Sequence, residues 1–277
     1  MPYLRKAQLA GYGSHYMYYP FEYFLQSQQE LGFQTIEMWC GAPHYLLNNH
    51  DWQSTADLKK AVEDHGLSIC AFTPESSMYN YLISSSDPII QKNTFSYYNN
   101  AIQAAAEIGC RIVPISCCGG KWNEDPADIF DRTLTMLKKL APIAEEHDVL
   151  LAVDTLPSAE NRILNSLNEL NTLLKEINSP AVKACMDLTS VGMAGETMEQ
   201  WFELLGQDIV HIHFSDGRPH GRLAWGDGLR PLEDCLQILN KYDYQGHLGL
   251  KTFDGRYLAS PREADQKSIS AFEPYFV

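Results

Sequence analysis

Val149–Leu188 reads VLLAVDTLPSAENRILNSLNELNTLLKEINSPAVKACMDL. A short β-branched run, VLLAVDT, ends on an acid; an amphipathic stretch, LNSLNELNTLLKEI, follows; a second apolar run, AVKACMDL, again ends near an acid. Period-2 or continuous apolar runs of this length read as strands, and leucines recurring every three to four positions read as a helix. A strand, a single helix and a second strand make a parallel βαβ unit, whose crossover is right-handed.

The same alternation extends in both directions. Upstream lie AQLAGYG with PFEYFLQSQQELGF, QTIEMWC with TADLKKAVEDHG, LSICAFTPE with the run from Asp87 to Gly109, and RIVPISC with the run from Pro126 to His147. Downstream, AVKACMDL is followed by ETMEQWFELLG, DIVHIHFS by RPLEDCLQILNKY, and HLGLKTF by a helix near PREADQKSISAFE. Asp125 before Pro126 is a helix-start signal. The glycines of ELGF, DHGLS and EIGCR sit just past helices, where a left-handed cap is needed. Eight strand–helix pairs in about 250 residues predict a closed (β/α)₈ TIM barrel rather than an open doubly wound sheet. No G-x-G-x-x-G follows the first strand, which removes the main support for a dinucleotide fold. Nothing reads as a linker, so residues 1–277 are taken as a single domain.

The chain is 45% hydrophobic, with 21 basic against 35 acidic residues and a net charge of −14. That balance argues against nucleic acid and anionic membranes as partners, since phosphate contacts need clustered Lys and Arg. No run approaches the ~18 uninterrupted apolar residues of a membrane span, and the N-terminus lacks a secretory pattern. Seven scattered cysteines without C-x-x-C spacing suggest a reducing compartment, so a cytoplasmic protein is expected. Cys70, Cys110 and Cys185 are expected to be buried, whereas Cys117 and Cys118 end a strand with exposure open.

In a (β/α)₈ barrel the reacting groups sit at the C-terminal ends of the strands. The polar residues there are His15, Glu37, His44, Glu75, Ser116, Asp154, Glu160, Asp187, His213, Asp216 and Lys251. About half are expected to line the site. Glu37 and Glu75 read either as buried ion-pair or capping groups or as substrate contacts. His15 and His44 are loop histidines suited to sugar hydroxyls. The GRPHGR loop carries a small basic patch (Arg218, His220, Arg222) able to receive an anionic substrate group. Trp39, Phe72, Trp122 and Trp225 lie near these loops, as core packing or as faces for a sugar ring.

The phrases GFQTIEMWCGAPH, AFTPESSMYNY, AVDTLPSAE, HIHFSDG and WGDGLRPLEDCLQIL together resemble the xylose-isomerase-like TIM-barrel family of sugar isomerases and epimerases, closest in pattern to fructoselysine 3-epimerase and the ketose 3-epimerases. The resemblance implies a (β/α)₈ barrel, a divalent metal (Mn, Mg, Co or Zn) and proton transfer beside a carbonyl of a small polyhydroxy substrate. It further implies a Glu, an Asp, a His and a second Glu as ligands, the two glutamates also moving the proton. Position by position, Asp187 fits the Asp, His213 the His, Asp154 stands where the first Glu belongs and Lys251 where the second belongs. Glu160 fits a substrate-binding Glu. Glu75, Ser116, His15, His44 and Arg218 complete the expected substrate contacts, and Asp154 and Lys251 are the expected catalytic pair. His211 is expected to face away or pack, alternating with His213.

The departures matter. Asp154 is one methylene short, roughly 1.5 Å, and a misplacement of about 1 Å can cost 10²-fold in rate. A protonated Lys251 cannot be a ligand; its ammonium is expected to occupy or border the metal site and pair with Asp154 or Asp187. Three outcomes follow from the sequence. A metal persists on Asp154, Asp187 and His213, with Lys251 turned away or serving as a neutral base. Alternatively Lys251 replaces the metal in a lysine-dependent lyase or isomerase, a Schiff base being one route. Or the barrel has lost epimerase chemistry and binds sugars only. The metal-dependent AP endonucleases of the same barrel need more strand-end ligands than this chain offers. A homo-oligomer is open, with the tyrosine-rich Tyr16–Phe24 segment as a candidate interface.

Overall fold

A computed structural model describes residues 2–76 and 80–277; residues 77–79, within the AFTPESSMYNY phrase, lie outside it. The strands are β1 Leu9–Tyr12, β2 Thr35–Cys40, β3 Ser68–Pro74, β4 Ile112–Ser116, β5 Leu150–Asp154, β6 Val182–Asp187, β7 Ile209–His213 and β8 Leu248–Leu250. All registered pairs are parallel, in the order β3-β2-β1-β8-β7-β6-β5-β4, and β3 lies alongside β4 to close the barrel. Each expected strand is present. Their residues are buried on both faces over most of their length, as a helix-covered parallel sheet requires.

The outer helices are α1 Phe21–Glu30, α2 Thr55–Asp64, α3 Pro88–Ile108, α4 Pro126–Glu146, α5 Leu167–Ile177, α6 Leu188–Met193, α7 Met198–Leu205, α8 Leu232–Lys241 and α9 Pro261–Phe272. Asp125 caps α4 by accepting from the Ala127 N–H, with Pro126 next to it, as its sequence indicates. Asp87 and Pro88 open α3 in the same way. Gly109 ends α3 at φ 85°, a left-handed conformation that a side chain would strain; Gly32 and Gly66 also have positive φ. The six-residue α6 has no sequence period to reveal it. It starts because Asp187, the last residue of β6, accepts from the N–H groups of Thr189 and Ser190.

Among the described residues no helix is long and apolar enough to cross a membrane. All seven cysteines are free; Cys117 and Cys118 are buried, and Cys70 is only partly so. Trp39, Phe72 and Trp225 are core residues, whereas Trp122 is 70% exposed, with the Arg162 guanidinium 4.8 Å from its ring centre.

One feature of the barrel interior is set by a glycine. A Cβ on Gly249 of β8 would lie 2.1 Å from Glu37 Oε2 and 3.0 Å from His211 Nε2, so β8 leaves the space that the Glu37 carboxylate fills. Gly249→Ala is expected to lower stability by about 1–3 kcal/mol, the range for overpacking a tight interior, read as a lower midpoint of chemical denaturation. An unchanged midpoint would mean that Glu37 does not pack against this strand.

Candidate active site

Four neighbouring strand ends converge on one point. Asp154 closes β5, Asp187 closes β6, His213 closes β7, and Lys251 is the first residue past β8. Lys251 Nζ lies 3.1 Å from His213 Nδ1, 3.5 Å from Asp187 Oδ2 and 3.7 Å from Asp154 Oδ2. The carboxylates are held separately. Asp187 Oδ1 is occupied by the first turn of α6, at 2.9 Å from the Thr189 N–H, which turns Oδ2 toward Lys251 and toward Arg222 Nε at 3.4 Å. Asp154 Oδ2 accepts from Ser116 Oγ at 2.9 Å, while its buried Oδ1 has no protein partner.

Below this layer Glu37 reaches across the barrel from β2. Its Oε2 is 2.7 Å from His211 Nε2, its Oε1 is 3.0 Å from His213 Nε2, and Thr73 Oγ1 donates to Oε1 at 2.6 Å. His211 therefore shares the inward face with His213. His211 is packed, one of the two expected alternatives, but the expected alternation with His213 fails because strand side chains repeat every two residues, so positions 211 and 213 point the same way. Of the two readings of Glu37, the structure gives the buried ion-pair group. An ammonium has only donors, so the contact at His213 Nδ1 makes that nitrogen an acceptor and leaves the imidazole proton on Nε2, facing Glu37. Burial and the adjacent Lys251 oppose a charged imidazole here, but Cys185, Glu37 and Asp187 outweigh them and push the His213 pKa up. The 3.1 Å contact with the ammonium nonetheless requires an unprotonated Nδ1, and on that geometry the neutral ring is the form that fits.

Above the four-residue cluster opens a pocket of about 140 Å³. Ser116, Arg222 and Lys251 are among its lining groups, together with Glu75, Glu160, Tyr12 and Phe253. Glu75 accepts from the Trp39 indole at 2.6 Å, and Glu160 faces Arg222 at 3.5 Å. Asp154, Asp187 and His213 are not lining groups; they sit one layer deeper, behind Lys251 and Ser116.

Three expected substrate contacts are not brought to this pocket. His15 is fully buried 3.0 Å from Asp265, an acid of α9 that also accepts from Tyr16 and Gln28. His44 is packed against Phe21, Phe24 and Trp39 with its Nε2 at the Tyr19 carbonyl. Arg218 is exposed and donates to the Asp227 carbonyl. From the same basic patch it is Arg222 that enters, because the loop after β7 folds back. Asp216 gathers that loop by accepting from the N–H groups of Gly217, Gly226, Gly228 and Arg230. Phe253 N–H then donates to the Arg222 carbonyl at 2.8 Å, tying Arg222 to the segment that carries Lys251. The GDG phrase is needed for this closure, since a Cβ on Gly228 would meet Asp216 Oδ1 at 2.1 Å.

With this arrangement established, comparison with known proteins places the chain. Residues 25–274 match the model of the Xylose isomerase-like TIM barrel family. The chain belongs to that family. It is 23% identical over 255 residues to fructoselysine 3-epimerase of Shigella flexneri, covering 91% of this chain and 92% of that one. It is 24% identical over 265 residues to D-psicose 3-epimerase of Enterocloster bolteae, covering 90% and 84%. Among solved structures, 3-keto-D-glucoside 4-epimerase from E. coli superposes with a TM-score of 0.81 at 15% identity, covering 96% of this chain and 99% of that one. D-psicose 3-epimerase from Clostridium cellulolyticum with D-tagatose superposes at 0.77 and 17% identity, again covering 96% and 99%.

Among the described residues, two groups bring metal-type ligand atoms within 4.8 Å of one another: Asp154, Asp187 and His213, and Glu37, His211 and His213. In the second, the Glu37 oxygens and both Nε2 atoms already satisfy each other. The first has donor types that suit a divalent ion, but Lys251 Nζ stands among the three atoms. An ion held by all three requires the ammonium to leave, so the set as arranged does not fit one.

Charge within the cluster is settled by its partners. Burial would raise Asp187, but Arg222 and Lys251 outweigh it and hold the carboxyl well below the ordinary range. Burial likewise opposes charge on Glu37, and the hydrogen bonds it accepts from the Nε2 side of the two histidines favour the carboxylate and hold it below the ordinary range. Asp154 is raised, because burial outweighs the pull of Lys251. Burial opposes charge on Lys251 too, and Asp187 and Asp154 lift it above the lysine range. A carboxyl depressed in the folded state contributes stability above its unfolded value, about 4, that is lost as pH falls through the folded value. Asp187 and Glu37 therefore predict acid destabilisation beginning near pH 4, partly offset by Asp154, which takes up its proton at higher pH in the folded state. Denaturation midpoints measured from pH 6 to pH 2 should fall less steeply in Glu37→Gln than in wild type; parallel slopes would remove Glu37 from this account.

Proposed function

We propose that the protein is a sugar or sugar-derivative isomerase or epimerase that moves a proton beside a carbonyl at the C-terminal rim of the barrel. The observation that carries this is the Lys251 ammonium at the wall of a small pocket, backed by Asp187 and Asp154. A cation fixed there can polarise a substrate carbonyl and stabilise the oxygen on which charge develops. Glu75 and Glu160, the carboxylates that line the same pocket, are the groups suited to take the proton. The step balances simply. The C–H proton passes to a carboxylate, the C–H electron pair becomes the C=C of an enediolate, and the carbonyl π pair moves to the oxygen facing Lys251. Delivery of a proton to the former carbonyl carbon, with the hydroxyl proton of its neighbour passing to the former carbonyl oxygen, gives isomerisation; delivery of a proton by the second carboxylate to the opposite face of the original carbon gives epimerisation. Asp154 lies too deep to touch substrate and is read as the positioning partner of Lys251, with Ser116 and Arg222 as substrate-binding groups.

The names of the relatives suggest ketoses and fructosamines as substrates. Paired with two carboxylates, Lys251 is held as the ammonium, whereas a Schiff base needs the neutral amine; the polarising role is therefore preferred to the covalent one. Incubation with a panel of ketoses and fructosamines in D₂O, followed by NMR, should show deuterium entering beside the carbonyl. Lys251→Ala is expected to slow that exchange about 10²–10³-fold, the typical loss of one stabilising donor. Binding without exchange across the panel would favour the sugar-binding barrel that has lost its chemistry.

A further inference from the structure

We infer that Lys251 and Arg222 are the resident cations of this centre, occupying the place and supplying the charge of a divalent ion, so that the protein holds no divalent metal between Asp154, Asp187 and His213. This deepens the reading of the pocket as a proton-transfer site, but its test is read without any sugar.

The geometry comes first. The three side chains offer ligand atoms close enough to share one ion, and the Lys251 nitrogen is 3.1–3.7 Å from an atom of each. Those are ammonium contact distances, beyond the ~2.0–2.2 Å of a metal–oxygen or metal–nitrogen bond, so the cradle is spread around the larger group. Charge gives the second argument. Asp154 and Asp187 carry two negative charges; Lys251 adds one positive charge, and Arg222, 3.4 Å from Asp187 Oδ2, adds the other. Together they equal one divalent ion, so the two carboxylates are already balanced without a metal. Hydrogen bonding gives the third. His213 keeps its Nε2 on Glu37 and points Nδ1 at Lys251, the orientation a metal ligand would need, but here spent on an N–H donor. Lys251 is itself fixed from two sides, since it follows β8 directly and Phe253, two residues on, is bonded to Arg222.

The test is elemental analysis of the full chain, as purified and after incubation with Mn²⁺ and desalting, for wild type, Asp187→Asn, Lys251→Glu, Lys251→Gln, and each Lys251 variant combined with Asp187→Asn. Folding of each variant is checked by circular dichroism, and Lys251→Gln serves where the glutamate variant does not fold. Wild type is expected to hold no stoichiometric divalent metal. Lys251→Glu or Lys251→Gln is expected to acquire about one ion per chain, on a site of two carboxylates and an imidazole, and Asp187→Asn to abolish it. Wild type that takes up about one ion per chain and loses it on Asp187→Asn would overturn the inference, because the lysine would then step aside for the metal. Variants that fold and still bind nothing would overturn it as well, since the three donors would not be an ion cradle at all. Neither outcome depends on whether a ketose or fructosamine is turned over.

Discussion

A largely buried ammonium is tolerated only where fixed acceptors replace its water, because the desolvation penalty is several kcal/mol per ion. Lys251 meets that condition through three strand ends at once, with Asp154, Asp187 and His213 around it and 14% of its side chain exposed to the pocket. Much of the candidate site follows from the constraint. Asp187 turns one oxygen to Lys251 because the other caps α6; Asp154 is steadied by Ser116; His213 is oriented by Glu37 from the far side of the barrel. Arg222 completes the charge balance only because Asp216 folds the loop after β7 back over the strand ends. Removing any one partner would leave a buried charge without compensation.

The architecture was legible because each level of the sequence agreed with the next. Apolar runs, amphipathic stretches, Asp–Pro helix starts and glycine helix ends alternate in one pattern, and each of the eight expected strands forms. The strand-end residues Asp154, Asp187, His213 and Lys251 could be placed together for the same reason, since parallel strands in a closed barrel share one C-terminal rim. Depth along the strand was less legible. Asp154 ends β5 and Lys251 directly follows β8, yet only Lys251 reaches the pocket, because its longer side chain extends in from the segment after β8 and lies over the acid.

What local sequence could not supply was the partner across space. His15 looks like a free loop histidine until Asp265, 250 residues away, is seen to claim it. His44 is covered by aromatic rings from α1 and β2. Arg218 and Arg222 are interchangeable in the phrase GRPHGR, and only the return of the loop onto Phe253 selects Arg222. His211 is a different kind of miss. Its spacing of two from His213 was a sufficient signal that both face inward, and with Glu37 on β2 it marks the layer that supports the site.

The central claim is that a protein-borne cation stands where family resemblance would put a metal. Anomalous diffraction at the manganese edge, from wild-type crystals soaked in Mn²⁺, tests it at the atom in question. The account predicts no anomalous peak among Asp154, Asp187 and His213, with the Lys251 nitrogen refined within contact of all three. A peak at that point, with Lys251 swung out into the pocket, would contradict it.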